Sequence, residues 1–364
     1  MRVRHFESVR PVCPACRTQD DSGSPLRIAQ VVREEAGHIV EGVLHCQNSN
    51  CLREFPIIDG IPLIVANIRQ YIADNILAIC GRRDLGEAIE SMLGDCSGPG
   101  SAFDYTRQVL SSYAWDHYAE FDPLEPISEP RPGSMLRTMQ IGLEMAEPVP
   151  AGPIIDVGCS VGRASFALAE RRGELVLGVD LSFPMLRMAS EILRHGIARY
   201  PRRRVGIVYD RREFPVRFAC LENVDFWACD VTALPFPAGT FSLAVSMNVL
   251  DSVASPHDML LAIARTLKTD GKLVLSCPYD WSSGATPLEA WLGGHSQRSP
   301  AAGSSDALLR SLLRPGTHGS SIKDLALTAE KDQIPWHVRL HDRSTMTYSS
   351  HVIAATKTNP DSRN

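Results

Sequence analysis

The sequence holds no run of 18 apolar residues and no apolar stretch behind its first charged residues, Met1-Arg-Val-Arg-His-Phe-Glu7. Neither a membrane-spanning helix nor a secretory leader is therefore expected, and the reading is a cytoplasmic protein with no membrane partner. Excess positive charge is missing as well. Thirty-seven Lys and Arg face 42 Asp and Glu, and a net charge of -5 does not commend the whole chain to polyanions. Ten cysteines in 364 residues are too sparse for a disulfide scaffold. With 44% hydrophobic and 22% charged residues, wholesale disorder, a collagen-like repeat and a coiled-coil rod are excluded, and no internal repeat is visible. What remains is a globular chain with length for about two domains and a large core.

The clearest punctuation is Gly94-Asp-Cys-Ser-Gly-Pro-Gly-Ser-Ala102, a small-residue stretch that reads as a linker. Upstream, residues 1–66 carry two close cysteine pairs and short β-type runs at Leu26–Val32 and His38–Leu44, and a helical pattern follows to Leu93. Downstream, 103–145 reads as two helices. From Gly152 to Lys357 apolar β-rich runs alternate with helical ones, the pattern of a parallel sheet wrapped by helices. Strands are expected at Ile154–Val157, Leu175–Asp180, Val224–Ala228, Phe241–Met247 and Lys272–Cys277. The runs Trp336–His341 and Tyr348–Thr356, joined by a short polar turn, are expected to pair antiparallel.

Gly152-Pro-Ile-Ile-Asp156-Val-Gly158-Cys159-Ser-Val-Gly162-Arg-Ala is a buried strand entering a glycine turn and then a helix. Small residues there leave room for a ligand against the backbone. The spacing is Asp-x-Gly-x-x-x-Gly and not Gly-x-Gly-x-x-Gly, which suits a nucleoside without phosphates better than a dinucleotide. Asp180 closes the second strand, where a carboxylate can accept both hydroxyls of a ribose. Asp230 closes the third, where it can accept from an exocyclic amine.

Together, Asp156-Val-Gly158-Cys-Ser-Val-Gly162, Gly178-Val-Asp180-Leu181-Ser, Ala228-Cys-Asp230-Val231-Thr-Ala-Leu-Pro-Phe and Leu267-Lys-Thr-Asp-Gly271-Lys-Leu-Val-Leu resemble the class I S-adenosylmethionine-dependent methyltransferases. The resemblance implies an α/β, Rossmann-like, seven-stranded and mostly parallel sheet ending in an antiparallel hairpin. It also implies S-adenosyl-L-methionine as cofactor. Gly158, Cys159 and Gly162 would flank its amino-acid part, and Asp156 would act on its ammonium directly or through water. Asp180 and Leu181 would sit at the ribose, Asp230 would meet the adenine amine, and Phe183 or Val231 would pack on the adenine ring.

Val12-Cys13-Pro-Ala-Cys16 and Leu44-His-Cys46-Gln-Asn-Ser-Asn-Cys51 supply four thiolates on two knuckles, a donor set for a closed, structural Zn2+; two surface pairs or a redox pair is the alternative. The tail Arg53-Glu-Phe-Pro56-Ile-Ile-Asp59-Gly60-Ile-Pro62-Leu-Ile resembles the zinc-ribbon activator subunit of tRNA and translation-factor methyltransferases, which binds a methyltransferase partner. Here it is fused to one, and a small N-terminal ribbon packing in cis is implied. Four residues separate Cys46 from Cys51 where that family usually has two, and His45 stands as a substitute ligand.

The expected division is thus a ribbon at 1–66, a helical connector at 67–102 and a methyltransferase domain at 103–364. Transfer needs alignment and, for some acceptors, removal of a proton. Asn248, Asp251 and Tyr279, at the ends of the fourth and fifth strands, are the candidates for it, with Asp280 beside them. Cys277 as a thiolate nucleophile is the weaker alternative to core filler. His337, Arg339 and His341 share one face of a strand and read as packed or surface residues. The insertion 196–222 holds Arg199, Arg202, Arg203, Arg204, Arg211, Arg212 and Arg217. It reads as a solvated hairpin on the sheet edge, or as a grip on RNA. Residues 282–305, rich in Gly, Ser, Ala and Pro, read as a mobile lid. The acceptor expected first is a small molecule. An rRNA or tRNA methyltransferase and a non-catalytic methyltransferase-like scaffold are the alternatives.

Overall fold

Apolar runs buried on both faces make the centre of the fold. A computed structural model describes residues 1–17, 23–127, 129–314 and 316–359. The helix α1 (Val3–Val9) leads into the strands β1 (Leu26–Glu35), β2 (His38–Cys46), β3 (Glu54–Ile58) and β4 (Ile61–Ile64). Four helices follow: α2 (Ile68–Cys80), α3 (Glu87–Ser97), α4 (Ala102–Tyr118) and α5 (Ser134–Ala146). Alternation then begins with β5 (Ile154–Val157), α6 (Arg163–Arg172), β6 (Val176–Asp180) and α7 (Phe183–His195). After the hairpin β7 (Ile197–Val205) and β8 (Val208–Pro215) come β9 (Val224–Cys229), β10 (Phe241–Met247), α8 (Pro256–Thr266) and β11 (Leu267–Cys277). The short helix α9 (Ser305–Leu312) precedes β12 (Leu325–His341) and β13 (Ser344–Lys357).

Every residue of β5, β9 and β10 is buried, as for parallel strands with helices on both sides. Local signals set the helix limits: Pro184 stands in the first turn of α7, which ends on Gly196 at φ 67°. The expected central strands lie where the sequence placed them, and β12 and β13 pair antiparallel. The last three strands, β11, β12 and β13, begin earlier than expected. β11 begins at Leu267, and β12 begins at Leu325 because its polar first half is stitched to β13 through register shifts that hide the alternation.

The strand count is corrected: among the described residues, eleven strands form one sheet in the order β1-β2-β3-β4-β9-β6-β5-β10-β11-β13-β12. The seven expected strands are its last seven. The other four come from the N-terminal segment, because β4 lies parallel to β9, with Leu63 opposite Ala228 and Ile64 opposite Cys229. The N-terminal segment therefore extends the sheet through backbone hydrogen bonds. One apolar cluster runs from Leu44, Phe55 and Ile57 into Trp227, Phe236 and Leu275. A second, on the other face, packs α4, α5, α6 and α7 on the strands. The stretch 94–102 is not a free linker, since α3 runs through it to Ser97 and Ser101 caps α4.

The hairpin β7–β8 forms its own two-stranded sheet and is not an edge of the main one. It is braced against α4 by Arg203 N on Ser111 Oγ (2.8 Å) and Tyr209 OH on Asp104 Oδ1 (2.9 Å). Most of its arginines are engaged: Arg199 with Glu213 (2.8 Å), Arg204 with Asp210 (3.6 Å), Arg211 with Glu90 (3.8 Å) and Arg212 with Asp122 (3.4 Å). Arg202 is buried between Glu125 and Asp342, at 2.6 Å from each. Replacing Arg202 with Ala leaves the buried Glu125 without its cation, while Asp342 keeps Arg339, and is expected to cost about 3 kcal/mol of stability by urea denaturation. A change below about 0.5 kcal/mol would show the pair to be inconsequential.

Candidate functional site

Where β5 turns into α6 and the neighbouring crossover leaves the other way, the ends of β5, β6, β10 and β11 diverge, as open α/β sheets do at a switch point. A cavity of about 570 Å³ opens there. Three non-glycine residues just past the strand ends hold left-handed backbone, Ser160 (φ 52°) and Asn248 (φ 54°) on the cavity and Tyr279 (φ 57°) off its lining. Such backbone persists where its surroundings enforce it, often at a site.

Of the expected site residues, Asp156, Gly158, Cys159, Asp180, Leu181, Val231, Asn248 and Asp251 all line this cavity. The turn owes its glycines to protein neighbours as well as to any ligand. A Cβ at Gly158 (φ 74°) would lie 2.3 Å from Val249 Cγ2, and one at Gly162 (φ 87°) 2.6 Å from Phe226 Cζ. Gly162 thus starts α6 and packs on β9; it does not line the cavity. Asp180 Oδ2 accepts Ser160 N and Oδ1 accepts Ser182 N, each at 2.8 Å, which leaves further lone pairs on both oxygens. Burial raises its pKa against these N–H groups. Asp156, 2% exposed, accepts from Ser165 Oγ at 2.6 Å; burial, with Asp180 nearby, pushes its pKa up to about 7.

Asp230, Tyr279 and Phe183 are not on the lining. Asp230 Oδ1 turns back on its own loop, accepting from Thr232 N (2.9 Å) and Oγ1 (2.7 Å). Phe183 is buried beneath the Arg187 guanidinium, so Val231 is the apolar neighbour on the cavity. Tyr279 turns its hydroxyl to His351 Nδ1 (2.7 Å), while its neighbours Pro278 and Asp280 line the cavity. Burial raises the phenol's pKa, and it makes a poor base there. Asp251, 3% exposed, accepts Asp280 N at 2.8 Å, and burial raises its pKa. Asn248 is held through Oδ1 by Ser276 Oγ at 2.8 Å. The Cys277 thiol lies in the core, pushed up by burial, and off the lining.

The roof is what sequence reading missed. Tyr105, Gln108, Val109, Ser112, Tyr113, Asp116 and His117 of α4 line the cavity at alternating steps of three and one, one helical stripe. Trp336, Val338 and Leu340 line it from β12, opposite in parity to His337, Arg339 and His341. Asp116 locks α4 to α5 by accepting the N–H groups of Gly133, Ser134 and Met135 at 2.7–3.0 Å. Of 282–305, only Ser282 reaches the lining. That segment is pinned by Thr286 Oγ1 on Val253 O (2.7 Å) and by Trp281 Nε1 on Ser305 Oγ (2.9 Å).

Away from the cavity lining, one sulfur from each of Cys13, Cys16, Cys46 and Cys51 lies within 4.8 Å of the others. Cys13–Cys51 is 3.9 Å and Cys16–Cys46 is 3.6 Å, close to the edge of about 3.8 Å that a tetrahedron of 2.3 Å metal–sulfur bonds has. Asn48 turns its backbone N–H to Cys46 Sγ (3.4 Å) and its side-chain amide to Cys16 Sγ (3.6 Å), as second neighbours of a thiolate do. His45 is not in the group; it faces Arg27.

Comparison with known proteins bears on the sheet. Residues 155–275 match the family model of a methyltransferase domain. A phosphoethanolamine N-methyltransferase of Zea mays is 27% identical over 127 residues, 35% of this chain and 21% of that protein. A ubiquinone biosynthesis O-methyltransferase of Bordetella avium is 28% identical over 168 residues, 46% of this chain and 57% of that protein. A solved phosphoethanolamine N-methyltransferase 2 of Haemonchus contortus, in complex with S-adenosyl-L-methionine, is 20% identical with a TM-score of 0.33, covering 47% of this chain and 35% of that one. The chain thus spans about a fifth of the maize relative and under three-fifths of the Bordetella one. Among the described residues no helix is long and apolar enough to cross a membrane. From Ile155 to Leu275 this chain is thus similar to a methyltransferase domain.

Proposed function

We propose that the protein transfers a methyl group from S-adenosyl-L-methionine to a small-molecule acceptor, with Zn2+ held by Cys13, Cys16, Cys46 and Cys51 as a structural brace. The observation that carries this reading is the pair Asp156 and Asp180 facing one cavity across the bare backbone of Gly158–Ser160. Asp180 has lone pairs left for a ribose diol, and Asp156 can hold an ammonium. When bound, the cofactor supplies a methyl group on a sulfonium already primed to leave. The chain's own part is to seat acceptor and donor together under α4 and the β12–β13 hairpin and, through Asp251, to hold a proton. Five carboxylates line the cavity (Asp116, Asp156, Asp180, Asp251, Asp280) against one Arg203, a balance that favours cationic ligands.

The test uses the pKa of Asp156. Titratable groups around it are Asp180, Cys159 and Tyr118, the last two held neutral by burial. In the free protein Asp156 is protonated below about pH 7, and a bound ammonium favours its carboxylate. Binding therefore releases a proton when it occurs below that pH. Affinity for S-adenosylhomocysteine, measured by calorimetry, is expected to be full above about pH 7 and to fall up to about tenfold per unit below it. Asp156→Asn should flatten the profile. No heat of binding at any pH removes the reading.

A further inference from the structure

The cavity has lining residues beyond those proposed for the donor. Among them are the walls Tyr113 of α4 with Trp336, Val338 and Tyr348 of the hairpin. Two lining carboxylates each have an oxygen engaged: Asp251 Oδ2 accepts Asp280 N, and Asp280 Oδ2 accepts the Tyr348 hydroxyl, both at 2.8 Å. The Ser252 hydroxyl approaches the other oxygen of Asp251 at 3.5 Å, and the Cys277 thiol also bonds this carboxylate from the core. His117 lies on the same lining, 5% exposed, and its Nδ1 has no hydrogen-bond partner. A buried ring nitrogen without a partner marks a place where a ligand can complete the bonding. Burial and then the Arg163 guanidinium push this imidazole down to about 3, so it is neutral and repels no cation. The cation on the lining, Arg203, spends its Nε on Gly206 O (2.7 Å) and one terminal nitrogen on Gln108 Oε1 (3.1 Å).

We propose that the acceptor is an amine carried on an apolar body, held as its ammonium between Asp251 and Asp280 against the aromatic walls. This rests on the methyltransferase reading above and narrows its substrate class. Aromatic faces and carboxylates both attract an ammonium, whereas a phosphate or carboxylate substrate would meet two like charges. An ammonium has no lone pair, so one N–H proton passes to Asp251 Oδ1. The freed nitrogen pair forms the N–CH3 bond while the electrons of the methyl–sulfur bond return to sulfur. The methylated nitrogen leaves as a cation, and the proton on Asp251 returns to water. Burial of Asp251 strengthens its hold on that proton.

The test is calorimetric titration of the full-length protein saturated with S-adenosylhomocysteine, using three probes of one body: phenethylamine, phenethyl alcohol and hydrocinnamate. The amine is expected to bind at least about tenfold tighter than the other two, and Asp280→Asn to remove most of that preference. With labelled donor, methyl groups should appear on the amine nitrogen. Equal or absent binding of the amine, or a preference for the alcohol or the carboxylate, overturns the proposal while leaving the donor site standing. Failure of S-adenosylhomocysteine itself to bind instead removes the methyltransferase reading, and this inference with it.

Discussion

Asp180→Ala is expected to weaken S-adenosylhomocysteine binding at least about a hundredfold. A carboxylate that takes two hydroxyl protons contributes about 1.5–3 kcal/mol for each charge-assisted bond. The substitution also releases the amides of Ser160 and Ser182, which Asp180 holds at 2.8 Å, and with them the left-handed turn at Ser160. Folding should hardly suffer. The carboxylate's pKa is raised, so its ionised form is held in the fold at a cost, and the melting temperature of the variant should match or exceed that of the parent. Binding loss with retained stability separates a ligand contact from a structural one. A variant that binds within about threefold of the parent would remove Asp180 from the site.

Loss of the proposed zinc ion should have the largest effect on stability. In Cys46→Ser, or after exhaustive chelation, the sulfur cluster loses the ion that offsets bringing four thiolates together, and apparent zinc energies in small modules reach about 10–16 kcal/mol. Here residues 1–66 are joined to the rest of the fold. Their strand β4 covers the edge of β9, and Leu44 and Phe55 share an apolar cluster with Trp227 and Phe236. We expect the melting temperature to fall by about 10 °C or more and protease cleavage to begin within residues 1–66. Metal analysis should find about one zinc per chain in the parent and none in the variant. A parent without zinc that melts as high as the zinc-loaded protein would show the cysteines to be ordinary core and surface residues.

The parts legible in the sequence were those whose chemistry lies within one strand, turn and helix. Asp156, Gly158, Cys159, Asp180 and Leu181 fall on two adjacent strand ends, and the order of the strands put them in one cavity. Asp230 and Tyr279 were expected at the same level of the sheet but turn away, Asp230 to Thr232 and Tyr279 to His351. Their positions along the chain were read correctly; the side-chain direction depends on loop partners that position alone does not give. The arginine insertion shows the same limit. Seven arginines between 199 and 217 read as a solvated hairpin or a grip on RNA, yet Arg202 finds Glu125 and Asp342, residues 77 and 140 positions away.

The sequence by itself determined the alternation of strands and helices, the glycine turn and the four sulfurs, because periodicity and spacing act over a dozen residues or fewer. Only the tertiary structure decided that the ribbon's last strand would complete the sheet at β9, and that α4 and the even-numbered face of β12 would roof the cavity. Strand pairing and register are settled by which distant surfaces bury one another, and a shift of one residue in β12 would have turned His337 and Arg339 inward in place of Trp336 and Val338.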